Sequence, residues 1–160
     1  MEAVRFEDFS YQYPKTGQGL DRVTLSVPKG SFTVVTGTNG SGKTTLCLAM
    51  TGLVPHFFGG AMSGRVMVEG HNTAERAVAD TAANVGLVME DYESQLVALT
   101  VFDEVAFALE NAAVPAHLIR DRVLAALESV GLAGLEEREL SALSGGQKQR
   151  LAVASVLVSR

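Results

Sequence analysis

The stretch GTNGSGKTT, Gly37 to Thr45, decides the fold. It satisfies the spacing G-x-x-x-x-G-K-[ST] at Gly37, Gly42, Lys43 and Thr44, and its surroundings matter as much as the match. Ahead of it lies SFTVVTG (Ser31 to Gly37), an apolar, β-branched run that predicts a buried strand, and behind it Lys43 to Gly52 has helical spacing. A strand that feeds a helix through such a loop lets successive backbone N–H groups and the helix N-terminus converge on phosphate oxygens. On this reading Gly37, Thr38, Asn39, Gly40, Ser41 and Gly42 form a cradle that continues through Thr45. Lys43 reaches the outer phosphates and Thr44 offers its hydroxyl to Mg²⁺. The plainer alternative is a glycine-rich turn with a solvated lysine, which the flanking strand and helix disfavour.

Working outward, Ala3 to Phe9 and Asp21 to Val27 alternate apolar and polar residues and predict two half-buried antiparallel strands. GRVMVEG (Gly64 to Gly70) reads as a short strand bounded by glycines, and NVGLVME (Asn84 to Glu90) as a buried parallel strand. After Asp91 the pattern turns helical. Phe102, Val105, Ala106 and Leu109 recur at i, i+3, i+4 and i+7, and Ile119, Val123, Leu127 and Val130 form a similar stripe after Pro115, which suits a first helical turn. An α/β half therefore precedes a helical half, with no internal repeat or low-complexity segment.

The 160 residues, 47% of them hydrophobic, are enough for one domain with a core. Thirteen Lys and Arg stand against eighteen Asp and Glu, and the net charge of −5 argues against nucleic acid or anionic lipid as the main partner while leaving room for a local anion site. Cys47, between Leu46 and Leu48, predicts a buried, inert thiol, and a single cysteine fits a reducing compartment. MEAVRFEDFS at the N-terminus has neither a basic nor an apolar region, and no run approaches the roughly 18 apolar residues of a membrane span. The expectation is a cytoplasmic chain whose membrane association comes through a partner.

LSGGQKQR, Leu143 to Arg150, carries a second signal. Ser144 followed three residues later by Gln147 is a capping box opening a helix from about Gly145 to Ser159. That alone is a helix start. The glycines Gly145 and Gly146, however, leave the backbone bare beside the serine hydroxyl at the positive end of a helix, a second place able to hold a phosphate.

GTNGSGKTT followed about a hundred residues later by LSGGQKQR resembles the ATP-binding cassette (ABC) ATPases over essentially the whole chain. YQYP near the start, GLVPHFFGG and TVFDEVAFALENAAVP look like the ATP-binding subunits of energy-coupling factor (ECF) transporters, which import vitamins and metal ions such as cobalt. The resemblance implies an α/β P-loop core with an antiparallel β subdomain, a parallel core sheet and a helical subdomain. Along this chain it implies a nucleotide-binding part at 1–90, a helical subdomain at 91–143 and a signature helix at 144–160. It implies that Tyr13 stacks on adenine, that Gly37 through Thr45 bind the phosphates and Mg²⁺ of ATP, and that Ser144, Gly145, Gly146 and Gln147 face the γ-phosphate held by a second cassette. Two cassettes then share two sites, closed by ATP and opened by hydrolysis, and pass the movement to a transmembrane coupling subunit and a substrate-binding membrane subunit. For Tyr13 the residues leave open a strand aromatic packed on its own sheet.

The chain also departs from the family. Where a glutamine touching Mg²⁺ is expected, Met89 and Glu90 stand; Glu90 is a candidate metal ligand, and Gln95 is an alternative amide five residues later. VGLVMED can be read instead as the Mg²⁺-holding strand of a different P-loop NTPase, with Asp91 as the ligand. The strand that should carry aspartate and catalytic glutamate after the signature helix, and the switch histidine beyond it, are not among the 160 residues. His56, His71 and His117 all precede the signature and read as solvated or helix-surface residues. The expectation is roughly the first two-thirds of a cassette, whose complete form is an ATPase and which hydrolyses ATP negligibly by itself. Two rival functions remain open on the sequence: a soluble ABC ATPase outside transport, and a non-catalytic nucleotide-binding piece.

Overall fold

The structure, a computed structural model, describes residues 1–159. They divide into two units, one covering Met1–Gly86 and one beginning at Leu87.

The first unit is built on an antiparallel sheet of four strands, β1 (Glu2–Gln12), β2 (Gly19–Pro28), β3 (Ala61–Val68) and β4 (His71–Asn72), in the order β2-β1-β3-β4. The alternation in β2 works as expected: Val23, Leu25 and Val27 are half-buried, and Arg22, Thr24 and Ser26 face solvent. In β1 the buried rings Phe6 and Phe9 are three residues apart, a spacing that a regular strand would place on opposite faces. A bulge resolves this. Phe6 pairs with Leu25 and Phe9 with Val23, three steps against two, and Asp8 takes φ 45° to absorb the extra residue. The two rings then meet edge to face at 5.6 Å.

Between β2 and β3 run the helices α1 (Lys43–Met50) and α2 (Leu53–His56), and α3 (Val78–Ala82) follows a short 3₁₀ turn at Thr73–Glu75. Leu46, Leu48 and Ala49 of α1 are buried, as are Phe6, Phe9 and Tyr11 of β1 and Val66 and Val68 of β3.

The second unit is helical: a 3₁₀ turn at Tyr92–Gln95, α4 (Val101–Asn111), α5 (Ala116–Ser129), a 3₁₀ turn at Leu140–Ala142, and α6 (Gly145–Leu157). The stripe of α4 does what its spacing dictates, with Val105, Ala106 and Leu109 buried together with Val123 and Leu127 of α5 and Leu151 and Ala154 of α6. Thr100 caps α4, its hydroxyl accepting from Asp103 N at 3.1 Å. Pro115 stands at the cap of α5, one place before its first turn. α6 stops at Leu157, short of Ser159.

Two expected strands are absent. Ser31–Gly37 joins no ladder, and Phe32, Val34 and Val35 are 94%, 67% and 53% exposed rather than buried. Asn84–Glu90 likewise forms no strand; Val85 and Leu87 to Met89 are half-buried and Glu90 is exposed. A buried parallel strand takes its hydrogen bonds from neighbours that are distant in sequence. Among the described residues no strand pairs with either segment, so the parallel core sheet does not form.

Candidate functional site

The loop of Gly37–Gly42 turns tightly, with Ser41 N donating to Thr38 O at 3.2 Å, and delivers the chain into α1. Gly42 is the cap residue, at φ 93°. A Cβ there would lie 2.5 Å from Leu20 Cδ2, so a side chain is disfavoured both by the backbone and by β2 beside it. With glycine at the cap no side-chain hydrogen bond closes the first turn, which leaves the turn's N–H groups for an external acceptor.

Lys43 follows at the first helical position. Its Nζ donates to Gly37 O at 2.9 Å and Thr38 O at 2.8 Å, so the ammonium is folded into the concave side of its own loop. Two neutral carbonyls hold a full positive charge there, and phosphate oxygens are stronger acceptors for the same group. Thr44 is exposed, with its hydroxyl available to a metal, while Thr45 is buried. The residues fit a Mg²⁺–triphosphate: a glycine-rich turn, a cation and an exposed hydroxyl lie within nine consecutive positions.

Tyr13 lies just beyond β1, and its hydroxyl is 3.3 Å from Thr45 Oγ1. The structure thus brings together an aromatic ring and helix α1, two features separated by about thirty residues of sequence. The ring is half-buried and meets Tyr11 edge-on at 4.9 Å, so it is packed against its own sheet and also directed at α1.

In the second unit, Ser144 and Gln147 form the full capping box. Gln147 N donates to Ser144 Oγ at 3.3 Å, and Ser144 N donates to Gln147 Oε1 at 2.9 Å. Ser144, Gly145 and Gly146 are exposed, so the serine hydroxyl and bare glycines at the start of α6 face solvent. Lys148 reaches Glu93 at 3.1 Å, which ties this helix start to the turn at Tyr92–Gln95.

Glu90 is exposed. Gln95 is committed elsewhere: its Oε1 accepts from Met89 N at 2.7 Å and its Nε2 donates to Leu87 O at 3.2 Å. These two backbone groups flank Val88, the pair that a neighbouring parallel strand would use. The side chain therefore serves Leu87–Met89 as a one-residue strand partner, a role that its position in the sequence does not suggest. Glu104 was also missed. It is 4% exposed, and its Oε2 accepts from Val97 N at 2.9 Å and Ala98 N at 3.0 Å, fixing the approach to α4. The available signal was an acidic residue three places after Val101, on the buried stripe of the helix.

Burial pushes the Cys47 thiol up from its usual range, in keeping with an unreactive group, although the residue is only half-buried. His56 lies 3.3 Å from Thr73 O, and His71 and His117 are exposed. Among the described residues no group of three His, Cys, Asp or Glu could hold a metal, and no helix is long and apolar enough to cross a membrane.

The family model described as ABC transporter matches residues 20–160. A protein of Pyrococcus abyssi, provisionally named an ABC transporter ATP-binding protein, is 44% identical over all of this chain and 58% of its own length. The energy-coupling factor transporter ATP-binding protein EcfA1 of Lacticaseibacillus paracasei is 40% identical over 98% of this chain and 55% of its own. Among solved structures, cbiO1 of Clostridium perfringens, part of the ABC transporter complex cbiONQ, superposes with a TM-score of 0.85 at 29% identity over 99% of this chain and 62% of that one. The chain thus spans little more than half the length of these two curated relatives. The superposition gives it the α/β fold of an ABC ATPase, and with the family model matching residues 20–160 the chain belongs to the ABC transporter family.

Proposed function

We propose that this chain is the ATP-binding part of a cassette that energises import of a vitamin or metal ion through an ECF-type transporter. The observation that carries the reading is the loop Gly37–Thr45, with the Lys43 ammonium held inside it by the carbonyls of Gly37 and Thr38. Lys43 exchanges those carbonyls for the β- and γ-phosphates of ATP, the free amides of the loop and of α1 bind the remaining oxygens, and Thr44 holds Mg²⁺. Tyr13 receives the adenine. Ser144, Gly145, Gly146 and Gln147 meet the γ-phosphate on a second cassette. On this reading residues 1–90 are the nucleotide-binding part, 91–143 the helical subdomain and 144–160 the signature segment, whose last residue lies outside the described residues.

ATP hydrolysis belongs to the complete cassette, and the 160-residue chain alone turns ATP over no faster than its Lys43→Ala variant. The ECF assignment is supported by the relative in Lacticaseibacillus paracasei, named an energy-coupling factor transporter ATP-binding protein, and by cbiO1, part of the ABC transporter complex cbiONQ. On this reading the chain works at the cytoplasmic face of the membrane, held by a coupling subunit that docks on the loop from Glu90 to Thr100 and on α4.

Calorimetric titration with Mg·ATP tests the central claim. Saturable binding that Lys43→Ala abolishes supports it; equal binding by both proteins rejects it. Co-purification of the complete cassette with its membrane subunits tests the docking surface, because substitution of Asp91 and Glu93 should weaken assembly and leave ATP affinity unchanged.

A further inference from the structure

Four aromatic rings form a series, one of which, Tyr13, reaches Thr45 of α1 through its hydroxyl. Tyr11 meets Tyr13 at 4.9 Å, Tyr13 meets Phe58 at 6.2 Å, and Phe58 meets Phe57 at 5.2 Å, every pair edge to face at 82° to 86°. Tyr11 is wholly buried, Phe58 is 40% exposed and Phe57 77% exposed, so the series runs from the core to the surface.

The loop that carries the outer two rings is held firmly. Phe57 N and Phe58 N both donate to Leu53 O, Gly59 N donates to Pro55 O at 2.7 Å, and the Tyr11 hydroxyl donates to Gly59 O at 2.7 Å. Gly60, at φ 103°, lies so close to β1 that a Cβ would sit 2.4 Å from Gln12 O. An exposed phenylalanine on a mobile loop needs no explanation. One fixed in place against a tyrosine whose hydroxyl is bonded to the phosphate-loop helix does.

We propose that Phe58 is the positioning residue for Tyr13 in nucleotide-base recognition; this rests on the reading of Tyr13 as the adenine platform. Among the described residues the Tyr13 ring meets Tyr11 and Phe58 edge to face, and its hydroxyl meets Thr45. Tyr11 belongs to the core and Thr45 to α1, so Phe58 is the contact that holds the ring from the solvent side. Without it the ring can swing toward solvent, and a base meets a movable surface in place of a fixed one. The ligand class is a nucleotide with a planar base, and Phe58 contributes to the base-dependent part of the affinity alone.

The test is calorimetric titration of the 160-residue chain with Mg·ATP and with Mg·tripolyphosphate, which carries the phosphates and no base. Phe58→Ala should lose about three- to tenfold in ATP affinity, the scale of one edge-to-face pair, and hold tripolyphosphate affinity within about twofold. Phe58→Tyr should restore ATP binding, and Phe57→Ala, whose ring does not pair with Tyr13, should leave both ligands unaffected. An equal loss for both ligands, or an equal loss in Phe57→Ala, overturns the proposal, since either means that the loop supports the cradle as a whole. Unchanged ATP affinity in Phe58→Ala overturns it as well. If the wild-type chain binds tripolyphosphate as well as ATP, the base platform is rejected while the cradle stands; if it binds neither, the cradle reading falls and this inference with it.

Discussion

The ammonium of Lys43 lies 2.8 Å from the carbonyl oxygen of Thr38, donating into the loop from which it springs. The loop is therefore pre-shaped around a positive charge, and on the proposed reading phosphate binding replaces one set of acceptors with another. Removing the side chain should cost at most about 1–3 kcal/mol in the free protein, because it deletes two hydrogen bonds worth about 0.5–1.5 kcal/mol each. The loss should appear on ligand addition. At a ligand concentration 100 times Kd the wild-type chain gains about 2.7 kcal/mol of stability, and Lys43→Met should gain none. Thermal unfolding with and without Mg·ATP measures both quantities, and an equal upward shift in the two proteins would contradict the assignment.

Ser144 serves two purposes that a single alanine substitution cannot separate. As a helix cap it accepts from Gln147 N, and Ser144→Ala should lower stability by about 1 kcal/mol. Ser144→Asp keeps a good capping acceptor but sets a negative charge where the partner's γ-phosphate is proposed to sit. The aspartate variant should unfold like wild type and fail to form the ATP-dependent pair of complete cassettes. Chemical denaturation gives the first result and size-exclusion chromatography with a hydrolysis-blocked nucleotide the second. Pairing by Ser144→Asp at wild-type nucleotide concentrations would leave the cap as the residue's whole role.

Such positions explain why some of the molecule was legible in the sequence. The helix of Lys43, the stripe of Val105, Ala106 and Leu109, and the capping box at Ser144 depend on residues three or four places apart, and local spacing reports them well. The tight turn of Gly37–Gly42 ahead of α1 is equally local. Ser31–Gly37 has the composition of a buried strand, but burial requires partners far along the chain, which composition does not supply. The same limit concealed Gln95 and Glu104, whose hydrogen bonds go to backbone groups that any residue could present. The meeting of Tyr13 with Thr45 became visible only when β1 and α1 were placed side by side.

Gln95 offers a direct measure of that hidden order. Its amide occupies Met89 N and Leu87 O, so Gln95→Ala should expose both to water and raise hydrogen exchange at the Met89 amide. Gln95→Glu keeps an acceptor for Met89 N and lacks the donor to Leu87 O, and should fall between the two. The exchange rates of Leu109 and Leu127, in the helical core, should be unaffected. Protection at Met89 that survives Gln95→Ala would mean that another group holds this segment.

Cys47 supplies a test that runs on pH. Burial favours the neutral thiol and raises its pKa above the free value of about 8.5. The sign follows: the folded state holds its proton to higher pH than the unfolded state does. The thiol's contribution to stability is therefore complete below the unfolded pKa and is lost as pH rises through the folded one. Reactivity should show the same displacement. Toward an aromatic disulfide reagent the folded chain should react more slowly than the urea-unfolded chain at pH 8, with the midpoint of its pH–rate profile displaced upward. Because Cys47 lies on α1, Mg·ATP should slow the reaction further if ligand binding tightens that helix, and Lys43→Met should abolish this extra protection. A folded-state profile that coincides with the unfolded one would show that solvent reaches the sulfur freely, and that the half-buried side chain is not shielded where the thiolate forms.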